Sequence, residues 1–239
     1  MPNPFLVSLI RGTMFYPRIP FGWPEASRLL ESLHDLFPIV YGSPQMDGNV
    51  VYSPGDWELR TQDGNIRLMF SAQKIDYVEF GQKDYSREAI EEFTRKCSDV
   101  FEGIARVHGH PSSRLAIAPT FVCSAPFTEA KGILDTVYTE SKMTFGGAQL
   151  DNCEFSQVFR PMKTIVDVGI SVNFLSKFST ENTITVNDGV ARQEQVIKAD
   201  FDINTTPIPG ISFPVESIHD FFAKAPSFCE EFYLFYFGD

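Results

Sequence analysis

The sequence lacks the features that mark most membrane, secreted and metal-binding proteins. No apolar run approaches the ~20 residues that span a bilayer, and residues 1–10 contain neither a basic segment nor a small-residue cleavage site. The four cysteines are spaced by 26, 30 and 76 residues, without a Cys-x-x-Cys pair. Cysteines in this arrangement are usually small buried hydrophobes. These absences predict a cytoplasmic protein that has neither a disulfide framework nor a metal site.

Positive charge is scarce, with 20 basic against 31 acidic residues and a formal net charge of -11. Residues 1–120 hold 12 basic and 15 acidic residues, whereas residues 121–239 hold 8 and 16. A field of this sign repels polyanions at long range, so nucleic acid is not expected as the main partner. Nine of the eleven arginines lie in the first half, and a local basic groove there remains an alternative.

Sequence motifs for common catalytic and cofactor sites are also missing. The chain contains no glycine-rich phosphate loop, Gly-x-Ser-x-Gly elbow, His-Glu-x-x-His pair or dinucleotide fingerprint. Each of these motifs fixes a spacing that its chemistry requires. We therefore predict no catalytic residue, no cofactor and no metal ligand.

Three weaker arrangements of residues are candidates for chemistry. His108 and His110 are close enough to share a zinc ion, but His108 ends a predicted helix, where a cationic ring is favoured by the helix dipole. Asp200 and Asp202 share one strand face, which is also expected of a solvated face that alternates with buried Phe201. His219 has no nucleophile beside it in the sequence. A structural position is the preferred interpretation for all of them.

Phenylalanine is the one residue type that is unusually frequent, with 23 copies in 239 residues. Six consecutive large apolar or aromatic residues occupy positions 232–237. Two interpretations of this segment are open: it is buried in the protein's own core, or it forms a protein interface, where aromatic residues are enriched. The candidate partner-binding residues are Phe232, Tyr233, Phe235, Tyr236 and Phe237.

Hydrophobic periodicity indicates the same order of elements in both halves. In the first half it predicts strands at 5–10, 57–61, 66–70 and 75–80, helices at 26–37 and 86–107, and a hairpin turn at Asp63-Gly64. In the second half it predicts strands at 115–123, 158–165, 168–178, 183–186 and 197–203, helices at 128–137 and 212–228, and a turn at Asp188-Gly189. Residues 138–152 are interpreted as an insertion.

This order predicts an α+β fold of two pseudo-repeated β-α-β(3-4)-α units. The units cover residues 1–112 and 113–239 and are expected to form one compact domain. Their strands would join into a curved antiparallel sheet with the long helices on one face. Such an order resembles the fold of the TATA-binding protein, or that of helix-grip proteins.

Several short motifs resemble those of a sporadically distributed bacterial family of uncharacterised proteins of roughly this length. The motifs are Trp57-Glu58-Leu59-Arg60 with Asp63-Gly64, Tyr85 with Phe93, Arg114-Leu115-Ala116-Ile117, Asp200-Phe201-Asp202, and Ile218-His219-Asp220 with Phe228. They extend from about residue 57 to residue 228. The resemblance implies no catalytic residues, and the family's patchy occurrence implies an accessory or defence-associated role.

Together these observations predict a non-enzymatic, acidic protein that binds another protein as a neutralising or scaffolding partner. The alternative is a small-molecule-binding protein or hydrolase with a pocket between sheet and helices, using His108, His110 or His219. A homo-oligomer is a further open alternative. If the aromatic segment is the interface, deleting residues 232–239 is expected to abolish binding and leave a soluble fold.

Overall fold

The computed structural model describes residues 5–16, 20–41, 45–47, 50–52, 57–71, 73–109, 111–123, 144–145, 148–149, 154–165, 168–187, 190–207 and 212–237. The first half contains β1 (Phe5–Phe15), β2 (Pro20–Gly22), α1 (Trp23–Leu33), β3 (Ile39–Tyr41), β4 (Gln45–Asp47), β5 (Val50–Tyr52), β6 (Trp57–Arg60), β7 (Ile66–Phe70), β8 (Lys74–Asp84) and α2 (Arg87–His108). The second half contains β9 (Arg114–Cys123), β10 (Thr144–Phe145), β11 (Ala148–Gln149), β12 (Glu154–Phe159), β13 (Met162–Ile165), β14 (Val168–Asn187), β15 (Val190–Thr205) and α3 (Val215–Phe237).

One large antiparallel sheet organises the molecule. Its strands follow the order β12-β14-β15-β9-β1-β8-β7-β6-β3, and β13 also pairs with β14. Strands β1 and β9 therefore lie side by side at the centre, although they are far apart in the chain. Two small sheets, β10-β11 and β2-β5-β4, lie apart from the large one. The predicted α+β class with an antiparallel sheet is confirmed.

The two long helices cover one face of this sheet, which we call the first face. A Cβ atom added to Gly12 of β1 would lie 2.3 Å from the Sγ of Cys97 on α2 and 3.2 Å from Cε1 of Phe222 on α3. Both helices therefore approach the sheet on the side that Gly12 presents. Because side chains alternate along a strand, Arg11 and Thr13 belong to the opposite face, which we call the second face.

Helix α2 begins and ends where its sequence predicts. The Oγ of Ser86 accepts a hydrogen bond from the backbone N–H of Ala89 at 3.1 Å, which satisfies one of the unpaired donors in the first turn. Gly109 ends the helix with φ 70°, a conformation that favours glycine. Local capping chemistry thus fixes both ends of this helix.

Replacing Ser86 by alanine is expected to lower the free energy of unfolding by about 1 kcal/mol, because the N-terminal donor loses its acceptor. Urea denaturation followed by circular dichroism measures this loss. Ser227→Ala, at an exposed position inside α3, is the matched control and is expected to change stability by less than about 0.5 kcal/mol. Equal stability of the two variants would contradict the capping role.

The hairpin turn of the first half is confirmed in detail. Asp63 accepts hydrogen bonds from the Thr61 hydroxyl at 2.6 Å and from the backbone N–H of Asn65 at 3.1 Å. Gly64 has φ 72°, as the predicted turn requires. In the second half β14 and β15 pair as far as Asn187↔Val190, whereas Asp188 and Gly189 themselves lie outside the described residues.

Several second-half predictions are wrong in extent, among them the strand at 197–203, which is part of the longer β15. Residues 158–165 are divided between β12 and β13, because Pro161 has no N–H to continue a ladder. The runs predicted at 168–178 and 183–186 form one strand, β14. Helix α3 continues past Pro226 and past residue 228 to Phe237. The predicted helix at 128–137 lies outside the described residues, as do most residues of the 138–152 insertion.

Candidate functional site

The predicted aromatic interface divides into a buried part and an exposed part. Phe232 and Tyr233 are only 4% and 9% exposed, and Tyr236 and Phe237 are partly buried against the core. Phe235, by contrast, is 63% exposed. Because α3 has 3.6 residues per turn, neighbouring residues of one run point to different sides of the helix. Of the five candidate residues, Phe235 is therefore the one most available to a partner.

The buried members of the segment are part of the core. The ring of Phe232 lies 4.7 Å from that of Phe201 and 5.3 Å from that of Phe174. The ring of Tyr233 stacks on Tyr85 at 3.8 Å. A deletion of residues 232–239 would remove these rings, so the expectation that the truncated chain keeps its fold is not supported by the packing.

Next to Phe235 lies an apolar groove, which we call the C-terminal groove. It has a volume of about 610 Å³ and lies between the end of β12, the following turn, β14 and the last turns of α3. Its lining consists of Val158, Phe159, Arg160, Pro161, Phe174, Glu231, Phe232 and Phe235. The rings of Phe159 and Phe235 pack edge to face in its lining, with their centroids 5.3 Å apart.

Large apolar side chains are exposed around this groove. Val158 is 44%, Phe159 38% and Phe235 63% exposed, and Met162 and Leu234 on the adjoining β13 and α3 are 66% and 55% exposed. A soluble protein rarely leaves several large apolar side chains together in water unless they bind something. The rim and the interior of the groove are therefore suited to an apolar ligand or an apolar protein segment.

Polar contacts hold β13 and α3 together beside the groove. The Nζ of Lys163 lies 2.6 Å from Oε2 of Glu231, and it lies 5.5 Å above the rings of both Phe174 and Phe228. Glu231 is more than half exposed in its side chain, so the ion pair itself contributes no more than about 1 kcal/mol. Its main consequence is to fix the position of one groove wall.

Tyr236 joins the groove wall to the edge of the sheet. Its hydroxyl lies 2.5 Å from the Oγ of Ser176 and donates to Oε1 of Gln157 at 2.7 Å. Burial raises the pKa of this phenol, and the Ser176 hydrogen bond opposes the shift. The hydroxyl therefore stays protonated at neutral pH and serves as a hydrogen-bond donor.

The histidines considered for catalysis have separate surroundings. His108 is buried, and its ring lies 4.9 Å from that of Tyr16. His219 has an exposed side chain whose Nδ1 lies 3.0 Å from Oε1 of Glu102. The structure does not bring these two rings together, and His110 lies outside the described residues.

The two aspartates of β15 each have a partner of their own. Asp200 accepts a hydrogen bond from the Thr120 hydroxyl at 2.7 Å and lies 3.2 Å from the Nζ of Lys198. Asp202 accepts from Nδ2 of Asn204 at 2.9 Å. Within the described ranges, no group of three or more His, Cys, Asp or Glu residues is arranged to hold a metal ion.

The described cysteines are buried in the core, as predicted. Cys97, Cys123 and Cys229 are at most 1% exposed and form no disulfide. Burial raises the pKa values of the Cys97 and Cys229 thiols well above the ordinary range. These two thiols are therefore poor nucleophiles at neutral pH. Cys153 lies outside the described residues.

One wall of the C-terminal groove was missed by sequence reasoning. Val158 and Phe159 were assigned only to a strand, and Arg160-Pro161 was not recognised as its end. The signal was present, because proline interrupts a strand ladder and thereby ends β12 at Phe159. What the sequence did not reveal is that this end lies against the last turn of α3.

In the part of the chain that the structure describes, no helix is both long and apolar enough to cross a membrane. Comparison of the sequence with protein-family models and with curated proteins gives no match to either.

Proposed function

We propose that this chain is a non-enzymatic, acidic protein that binds another protein through the C-terminal groove. The observation that carries the proposal is the pair of exposed rings, Phe159 and Phe235, which pack edge to face at 5.3 Å in the lining of an apolar groove. Aromatic side chains that line a pocket supply much of the binding energy of protein interfaces. The walls belong to α3 and to strands of the large sheet, so the site is built on regular elements.

The partner would pack an apolar or aromatic side chain into the groove, against the exposed rings of Phe159 and Phe235. The formal charge of -11 favours encounter with a basic surface over an acidic one. A neutralising or scaffolding role, and an accessory place in a bacterial defence-like system, are consistent with a protein that binds without catalysis. They remain part of the proposal.

We also propose that the scaffold arose from two duplicated units related to the TATA-binding-protein or helix-grip folds. The strand order supports this, since β8-β7-β6 flank β1 on one side and β15-β14-β12 flank β9 on the other. Each set is followed in the chain by one long helix, α2 or α3. All residues that line the C-terminal groove belong to the second of these units. The groove therefore does not need a second copy of the chain to complete it.

Replacing Phe235 by aspartate is expected to abolish partner binding, because a charge would be buried where an apolar contact forms. The measurement is affinity capture of partners from a host lysate with the wild-type chain and the variant, compared by mass spectrometry. Leu36→Asp is the matched control, since Leu36 is 57% exposed but lies just after α1, in the other half of the chain. Capture of the same partner by Phe235→Asp would contradict the proposal.

A second candidate function is binding of an apolar small molecule in the same groove. Its volume of about 610 Å³ lies within the range of small-molecule sites. A ligand that binds only the folded state raises the midpoint of thermal unfolding. A metabolite that stabilises the wild type and not Phe235→Asp would favour this function, whereas a captured protein with no stabilising metabolite would favour the first.

A further inference from the structure

A row of side chains on the second face of the sheet brings three arginines together. Each residue of the row is directly opposite the next on the neighbouring strand, from β6 through β7, β8 and β1 to β9. In that order the row is Arg60, Arg67, Val78, Arg11 and Ala118. Strands lie about 4.8 Å apart, so the Cα atoms of Arg60 and Arg11 are separated by roughly 15 Å. Arg11 lies far from Arg60 and Arg67 in the chain and comes near them only through strand pairing.

Arg11 and Arg67 differ from the arginines of α2 in how they are neutralised. Arg87, Arg95 and Arg106 on α2 each lie within 3.3 Å of a carboxylate oxygen. Within the described residues, neither Arg11 nor Arg67 has a carboxylate at ion-pair distance, and Arg60 pairs only with its neighbour Glu58. The chain has an excess of acidic residues, so this arrangement does not result from a shortage of carboxylates.

Aromatic rings support arginines of this face without consuming their N–H groups. The guanidinium of Arg67 lies 4.5 Å above the ring of Phe80, and that of Arg60 lies 3.8 Å above Tyr41. A guanidinium that stacks on a ring keeps its N–H donors in its own plane, where they remain directed at an acceptor. The rings hold the side chains in place for a ligand.

Some N–H groups of these arginines are shielded from water and have no acceptor in the described part of the chain. The Nε atoms of Arg11 and Arg60 are buried and have no hydrogen-bond partner in the described part of the chain. A buried charged donor without an acceptor is costly. Arg60 and Arg67 are also directly opposite each other, and like charges in that position repel. An anion placed along the row would offset this repulsion.

We infer that this row is a binding site for a small ligand carrying two or more phosphate groups, with Arg11, Arg60 and Arg67 as its donors. Guanidinium groups match phosphate oxygens in a bidentate manner. This site lies on the opposite face of the sheet from α3, so it goes beyond the protein-binding function proposed above.

The net charge decides against a long polyanion as the ligand. With a formal charge of -11, the protein repels nucleic acid at long range. A small phosphorylated compound carries fewer charges, so the long-range repulsion is weaker and the nearby arginines of the row dominate its interaction with the protein. On the neighbouring half of the second face, Asp200 and Asp202 would limit the length of an anion that extends past Ala118.

The test is isothermal titration calorimetry of the full chain with pyrophosphate. Arg11→Gln and Arg67→Gln keep a polar side chain but remove the charge, and each is expected to weaken binding by about tenfold or more. Arg95→Gln, on the exposed surface of α2 and paired with Asp99, is the matched control and is expected to bind as the wild type does. Circular dichroism of each variant verifies that it is folded.

Citrate and single-stranded DNA serve as the competing anions. Saturable pyrophosphate binding that depends on Arg11 and Arg67, and that exceeds binding of citrate and DNA, supports the inference. It is overturned if the wild type does not bind pyrophosphate, if both variants bind as well as Arg95→Gln does, or if citrate or DNA binds more tightly with the same arginine dependence.

Discussion

Replacing Phe232 by alanine is expected to lower the free energy of unfolding by about 3–5 kcal/mol, whereas Phe235→Ala changes it by less than about 0.5 kcal/mol. The two residues lie three positions apart on α3 and have the same side chain. Phe232 is 4% exposed and contacts the rings of Phe201 and Phe174, whereas Phe235 is 63% exposed. Urea denaturation of both variants measures the difference.

This comparison separates folding from binding. Phe235→Ala is expected to weaken partner capture without loss of stability, because its ring is a wall of the C-terminal groove. Phe232→Ala is expected to affect both, because the same ring is part of the core and of the groove floor. A Phe232→Ala variant as stable as the wild type would contradict the packing of α3 on the sheet.

Replacing Gly12 by alanine is expected to destabilise the protein by about 1–3 kcal/mol through overpacking. The new Cβ would lie 2.3 Å from the Sγ of Cys97, which is fully buried, and 3.2 Å from Cε1 of Phe222. Glycine is needed here because two helices approach the central strand at one point. Chemical denaturation, with the midpoint and the slope fitted together, measures the loss.

A second substitution identifies the cause of that loss. Cys97→Ala removes the Sγ atom, so Gly12→Ala combined with Cys97→Ala is expected to be more stable than the sum of the single effects predicts. Residues in direct contact commonly show such coupling, at about 0.5–3 kcal/mol. Additive single effects, or an unchanged stability of Gly12→Ala alone, would show that α2 does not approach β1 this closely.

The position of the C-terminal segment could be predicted only in part from its sequence. Its composition predicted that residues 232–237 either complete the core or bind a partner, and the structure divides the run between the two. The helical spacing of Phe228, Phe232 and Tyr236 could have indicated the buried side in advance. The run of six apolar residues has no periodicity of its own, so its composition is compatible with both interpretations.

Turns and helix ends could be predicted from the sequence because their causes lie within a few residues. The Asp63-Gly64 turn, the Ser86 cap and the Gly109 helix end each depend on side-chain or backbone chemistry within a few residues. The end of β12 at Pro161 is equally local. The same reasoning placed His108 at the end of a helix, where the structure has it.

By itself the sequence determined the types of the long elements, the antiparallel α+β class and the excess of negative charge, since these follow from periodicity, turn residues and composition. Only the tertiary structure decided which residues meet. Strand pairing placed Arg11 and Arg67 on either side of Val78. Helix packing placed Phe235 against Phe159. Both arrangements depend on strand register and on contacts between distant parts of the chain, which no local pattern specifies.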